Sequence, residues 1–142
     1  MSLSLAARMT EAAVTRAGEL GAVVSAAVVD AGGHLVHFQR MDRAEIAGPT
    51  LAVDKAFTAV AHRAATADLT ALAVPGGPLA GLHANGGGRY VVFGGGLPCW
   101  SGDAQTGVVV GGIGVSGGTT EQDVACAEAG LAVFGTAAAP TG

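Results

Sequence analysis

The sequence predicts an α+β domain, a central, mainly antiparallel five-stranded sheet flanked by helices, in the order α-β-β-α-β-β-β-α. Three observations lead there. Apolar runs rich in Val arrive one after another, joined by short turns such as Asp30-Ala31-Gly32-Gly33, which is how antiparallel hairpins read. Three longer stretches, 3–20, 48–63 and 119–134, repeat apolar residues near helical spacing. Of the 142 residues, 24 are glycine, most of them between Gly76 and Gly118. They alternate with Val, Ile, Phe and Leu, so they thin strands and turns and do not make a linker.

The first helix spans 3–20, with Ser4 as its expected N-cap, Leu5, Met9, Ala13 and Leu20 on its apolar side, and Gly21 as its stop. Residues 23–29 form a buried strand. After the turn, His34 to Met41 is the return strand, with His34, Val36, Phe38 and Arg40 on one face and Leu35, His37, Gln39 and Met41 on the other. Gly48-Pro49 opens the second helix, which runs to about Arg63 on a stripe of Val53, Ala56, Phe57 and Val60. Thr66 starts a short extra turn, and Pro75-Gly76-Gly77-Pro78 breaks the pattern. A glycine-rich loop covers 79–88. Strands are expected at Tyr90 to Phe93, Leu97 to Ser101 and 106–115, the last two joined by Gly102-Asp103-Ala104-Gln105. Thr119 and Gln122 form a capping box for the last helix, which runs to about Phe134. One domain is expected over 1–136, with a loose tail at 137–142.

The composition excludes several functions. The net charge is −4 and the seven Lys and Arg residues are scattered, so nucleic acid is not the expected partner. Cys99 and Cys126 have neither metal-ligand nor disulfide-framework spacing. No run reaches the ~18 apolar residues of a membrane span. The first residues lack the basic-then-apolar pattern of a secretory leader, so a cytoplasmic protein is expected. Low charge and high apolar content also point to a homo-oligomer, a dimer or larger.

Gly112, Gly114 and Gly117 spell a GxGxxG. A dinucleotide fingerprint also needs a second parallel strand with an acidic residue about 20 positions on, and the last helix fills that place instead. Gly112 and Gly114 share a strand face, where they would let another backbone cross the sheet closely.

Taken together, VVDAGGHLV (28–36), RMD (40–42), VDKAFTA (53–59), PGGPL (75–79), FGGGLP (93–98) and GGIGVSGGTTEQD (111–123) resemble the GlcG/HbpS family, also known as the haem-degrading or PduO C-terminal-like domain. The pieces cover nearly the whole chain in order. The resemblance implies a profilin-like fold, dimers that assemble further, and small-molecule binding, with haem as the ligand in some members. Two departures stand out. Gly86 occupies the place of an Asn in the family's glycine loop, unless Asn85 supplies that amide. The first helix, where haem-binding members can carry a His, has none, and its soft side chain is Met9.

The candidate chemistry rests on few side chains. Lys55, the single lysine, follows Asp54; it either lies on a solvated face opposite the Val53 stripe or pairs with Asp54 at a pocket, as base or nucleophile. His34, beside the hairpin turn, and His83, in the glycine loop, are candidate acid/base groups or axial ligands of a haem. His37 is expected to be exposed, and His62 suits its helix C-terminus. Arg89 and Arg40 are candidate anion contacts, with Asn85 beside Arg89. Ser116, Gly117 and Gly118 offer an anion pocket at the start of the last helix, where Thr119 and Glu121 compete for the same donors. No separate metal site is expected. Haem or tetrapyrrole binding, with or without haem degradation, is the leading expectation. The alternatives are a cofactor-free tautomerase, deaminase or lyase acting on a small anion, and a non-catalytic sensor or assembly module.

Overall fold

The computed structural model describes residues 1–138. Its elements are α1 (Leu3–Leu20), β1 (Ser25–Asp30), β2 (Leu35–Arg40), α2 (Ala47–His62), α3 (Thr66–Leu69), β3 (Gly96–Ser101), β4 (Val108–Ser116) and α4 (Thr120–Ala138), with two short 3-10 turns at 82–84 and 86–88. The strands form one antiparallel sheet in the order β2-β1-β4-β3. Helix α2 covers one face, and α1 with α4 covers the other. Helix α4 continues past the expected end near Phe134, and residues 139–142 of the expected tail lie outside the described residues.

The sheet has four strands where five were expected. Residues 90–93 join no ladder because side chains take up their backbone groups. The Val91 N–H donates to Thr58 Oγ1 (3.0 Å), and the Val92 carbonyl accepts from Thr70 Oγ1 (2.6 Å). An apolar run was mistaken for a strand because sequence periodicity cannot show that hydroxyls on other elements meet its hydrogen bonds.

The N-cap of α1 is Ser2, whose Oγ accepts from the Leu5 N–H at 3.1 Å, rather than Ser4. Gly21 closes the helix in the left-handed region (φ 70°), as expected. The α4 box forms as read: Thr119 N–H donates to Gln122 Oε1 (2.9 Å), and Gln122 N–H to Thr119 Oγ1 (3.1 Å).

Glycines of β4 decide how α2 packs. A Cβ on Gly114 would run into the Ala52 carbonyl and come within 2.6 Å of the Ala56 nitrogen; one on Gly112 would sit 2.8 Å from the Ala56 carbonyl. The α2 backbone therefore lies directly on the sheet. Of the expected stripe only Ala56 is buried, and the inward side is rotated from the one expected. Ala52, Lys55, Ala56, Thr58 and Ala59 are buried, whereas Val53, Phe57 and Val60 are only half-buried. The missing Cβ atoms of Gly112 and Gly114 let the Ala52–Ala56 backbone approach the strand, so the alanine side of the helix turns inward, with Val60 reaching over Gly112 from its edge. On the opposite face, Ile113 and Val115 alternate with those glycines and meet Met9, Val24, Val28, Cys126 and Phe134 in the main core.

Candidate functional site

Among the described residues the most deeply buried charged side chain is that of Lys55, 1% exposed. Its Nζ donates to the Val115 carbonyl (2.9 Å) and to Asp123 Oδ2 (3.2 Å), and lies 5.1 Å from the Phe93 ring centroid. Asp123, 4% exposed, accepts from the Gly118 N–H through Oδ1 at 2.9 Å. Gly95 (φ 129°) passes so close that a Cβ there would sit 2.8 Å from Nζ. The pair joins α2, the end of β4, the FGGG stretch and the start of α4. Burial pulls the Lys55 ammonium below its ordinary value and pushes the Asp123 carboxyl above its own; their mutual attraction opposes both shifts and is the smaller effect.

This geometry corrects three expectations. Lys55 is not on a solvated face. It does not pair with Asp54, so Lys55, Asp54 and His34 make no catalytic constellation. The pocket expected at Ser116, Gly117 and Gly118 is filled from within: Asp123 takes the Gly118 N–H and Gln122 takes the Thr119 N–H, while Ser116 itself is buried. Asp123 stands in the first turn of α4, where an acidic side chain suits the positive helix N-terminus whatever else it meets. Nothing local in the sequence links it to Lys55, since the two stand 68 positions apart.

Asp54 belongs to a second cluster, at the surface. Its Oδ1 accepts from Arg89 Nε at 3.0 Å. The Arg89 guanidinium carbon lies 3.6 Å from the Phe57 ring centroid. Phe57 stacks on Tyr90 (centroids 6.2 Å apart), and Tyr90 meets the edge of His62 (4.9 Å). Gly33 and Gly86 press on this shelf, where a Cβ would come within 3 Å of the Phe57 and Tyr90 rings respectively. The absence of a side chain at position 86 is thus used for contact with Tyr90. Asn85 is exposed, and its side-chain amide donates to the Gly81 carbonyl alone (3.3 Å). The structure brings Arg89 and Asp54 together as a clamp on the 79–88 loop, so Arg89 Nε is already engaged. Phe57 and Tyr90 were missed as partners because no short-range spacing connects a helix to a residue so far along the chain.

The histidines are dispersed. His34 is 83% exposed side chain at the hairpin tip, its Nδ1 3.4 Å from Asp30 Oδ1. The His34 N–H, and that of Gly32, hold the Asp30 carboxyl below its ordinary value. His83 is exposed in the first 3-10 turn, and Arg40 is exposed at the end of β2. His37, expected to be exposed, is half-buried under α1, with Nδ1 2.9 Å from Thr10 Oγ1. Among the described residues no group of three His, Cys, Asp or Glu could hold a metal ion, and no helix is long and apolar enough to cross a membrane. Cys99 and Cys126 are buried free thiols, pushed up by burial to about 12 and about 11. They are inert core residues.

Fold and side chains together define a class: a small α+β domain with one antiparallel sheet between helices, glycine-thinned where α2 crosses it, stitched by a buried lysine–aspartate pair and carrying isolated imidazoles. The chain belongs to the haem degrading protein HbpS-like family, whose model matches residues 1–132. It is 42% identical over 127 residues to the corrinoid adenosyltransferase PduO of Citrobacter freundii, covering 89% of this chain and 37% of that protein. The chain therefore spans little more than a third of that relative. Among solved structures, the Klebsiella pneumoniae protein ORFY superimposes with a TM-score of 0.89 at 36% identity, over 95% of this chain and 90% of that one. The PduOC:heme complex superimposes with a TM-score of 0.86 at 38% identity, over 94% of each chain.

Proposed function

We propose that this protein binds haem through a single imidazole ligand. The observation that carries the reading is the likeness, over 94% of each chain, to a domain whose structure is a complex with heme. The donor set here supports it. The histidines are scattered and no three ligating groups converge among the described residues, so a bare metal ion finds no site. A haem brings four nitrogens of its own and needs one side chain from the protein. His34 and His83, both exposed, can each offer one. A bound haem would supply redox-active iron with an open coordination position. The chain's own part is to bind it, orient it and limit access to it.

Breakdown of the bound haem is the finer form of this reading, consistent with the description of the family. The protein acts in this reading as a cytoplasmic homo-oligomer, with its exposed Leu3, Leu35, Ile46 and Val108 covered at least in part by other copies. The test is titration with hemin. A saturable Soret shift at stoichiometric concentration is expected, and its absence sinks the proposal. Loss of that band under aerobic reductant, faster than for free hemin, would mark degradation.

The cofactor-free enzyme reading loses its main support, because Lys55 is sealed against Asp123 and Arg89 Nε is occupied by Asp54.

A further inference from the structure

The hydroxyl of Thr10, on α1 and fully buried, meets three groups. It lies 3.0 Å from the Ala7 carbonyl oxygen, 3.0 Å from Gln39 Nε2 and 2.9 Å from His37 Nδ1. A hydroxyl has one proton and two lone pairs. The Ala7 carbonyl can only accept, so it takes the proton. The Gln39 nitrogen can only donate. Its orientation is set by a second contact, 3.2 Å to Glu11 Oε2, a carboxylate oxygen that can only accept. One lone pair of Thr10 remains for His37, so Nδ1 of His37 carries the hydrogen. In the neutral ring Nε2 then holds the free lone pair, and it has no hydrogen-bond partner among the described residues.

We infer that His37 is the axial ligand of the haem, through Nε2, and that Thr10 is the positioning residue that fixes its tautomer and ring orientation. The inference rests on the haem reading above and assigns its site. An imidazole whose second nitrogen donates to an oxygen is the usual form of a metal-binding histidine, since that bond fixes the ring and raises ligand basicity. The other imidazoles lack this arrangement. The Nδ1 of His34 is 3.4 Å from Asp30, beyond a good hydrogen bond, on a ring open to solvent. His62 is turned edge-on to Tyr90, and His83 sits in the glycine-rich loop. Two exposed apolar side chains stand on the same two elements as His37 and Thr10. Leu35 lies two residues earlier on β2 and is 51% exposed; Leu3, two helical turns before Thr10 on the same side of α1, is 64% exposed. Such side chains suit the face of a macrocycle. Although α1 carries no histidine, it contributes here by holding one that comes from β2.

The test is hemin titration of the full chain followed by absorption and by ferric electron paramagnetic resonance. His37→Asn keeps an amide that can still donate to Thr10, and His37→Gln is a second variant; circular dichroism checks that each is folded. Both are expected to lose the histidine-ligand signature. Thr10→Val is expected to weaken haem affinity about tenfold and to alter the spectrum while leaving secondary structure intact. If the wild-type protein binds hemin and both His37 variants give the same spectrum and affinity, the assignment is overturned and the haem reading stands. If His34→Ala or His83→Ala removes the signature instead, the assignment is likewise overturned. If the wild-type protein shows no saturable Soret shift, the haem reading falls and the assignment falls with it.

Discussion

Replacing Lys55 by Met removes one partner of a pair that is 1% and 4% exposed. The variant leaves the Asp123 carboxylate in the interior with the Gly118 N–H but without its cation. Removing one member of a buried ion pair costs about 3–5 kcal/mol, because the remaining charge keeps its desolvation penalty. For a chain of this length that is a fall in Tm of roughly 10–15 °C. The double variant Lys55→Met/Asp123→Leu strands no charge, so it should cost less than the sum of the two single changes, with a coupling of about 1–3 kcal/mol. The pH dependence has a definite sign. Asp123 already sits above its ordinary value in the wild-type protein, and losing the lysine removes an interaction that lowers it. A carboxyl raised in the folded state contributes most below its unfolded value and loses that contribution as pH rises through the folded one. The deficit of Lys55→Met is therefore largest near neutrality and shrinks on acidification. Urea unfolding followed by the fluorescence of Trp100, the single tryptophan, measures all of this. A Lys55→Met variant within ~1 kcal/mol of wild type at pH 7, or a double variant equal to the sum of the singles, would refute the reasoning.

Three more outcomes are expected. Gly114→Ala, whose Cβ would overlap the Ala52 carbonyl, should cost at least about 1–3 kcal/mol, whereas Gly18→Ala, with nothing within 4 Å, should stabilise α1 by up to ~1 kcal/mol; thermal unfolding of the two variants compares them. Cys99 and Cys126 should resist a thiol reagent at pH 8 in the folded protein and react in urea. Their thiols are raised to about 12 and about 11, so this contribution to stability is complete below the ordinary 9.0 and is lost as pH climbs towards those values, which urea midpoints at pH 8 and above would register. Arg89→Ala breaks both the bond to Asp54 and the stack on Phe57, so limited proteolysis within 79–88 should accelerate while the far-ultraviolet circular dichroism stays unchanged.

Much of the architecture was legible because its causes are local. The turn at 30–33, the stop at Gly21 and the Thr119/Gln122 box each depend on residues within a few positions of one another. The reading of Gly112 and Gly114 as a crossing point was also right, since a missing Cβ has few uses in a strand. The site was less legible. Lys55 and Asp54 are adjacent in sequence, and adjacency suggested a pair. On a helix, neighbours point about 100° apart, so one went inward to Asp123 and the other outward to Arg89.

By itself the sequence determined the family pattern, the order of the helices, both hairpin connections (β1 to β2 and β3 to β4) and the need for close packing over β4. The tertiary structure alone decided the rest: which side of α2 faces the sheet, that residues 90–93 satisfy their backbone through Thr58 and Thr70, that Lys55 is sealed, and that His37 is held by Thr10. Each of those depends on partners 22 to 68 positions away. Periodicity and spacing report only near neighbours. A hydrogen bond between distant elements exists once packing has fixed their separation to a few tenths of an ångström, and that separation is a property of the whole fold.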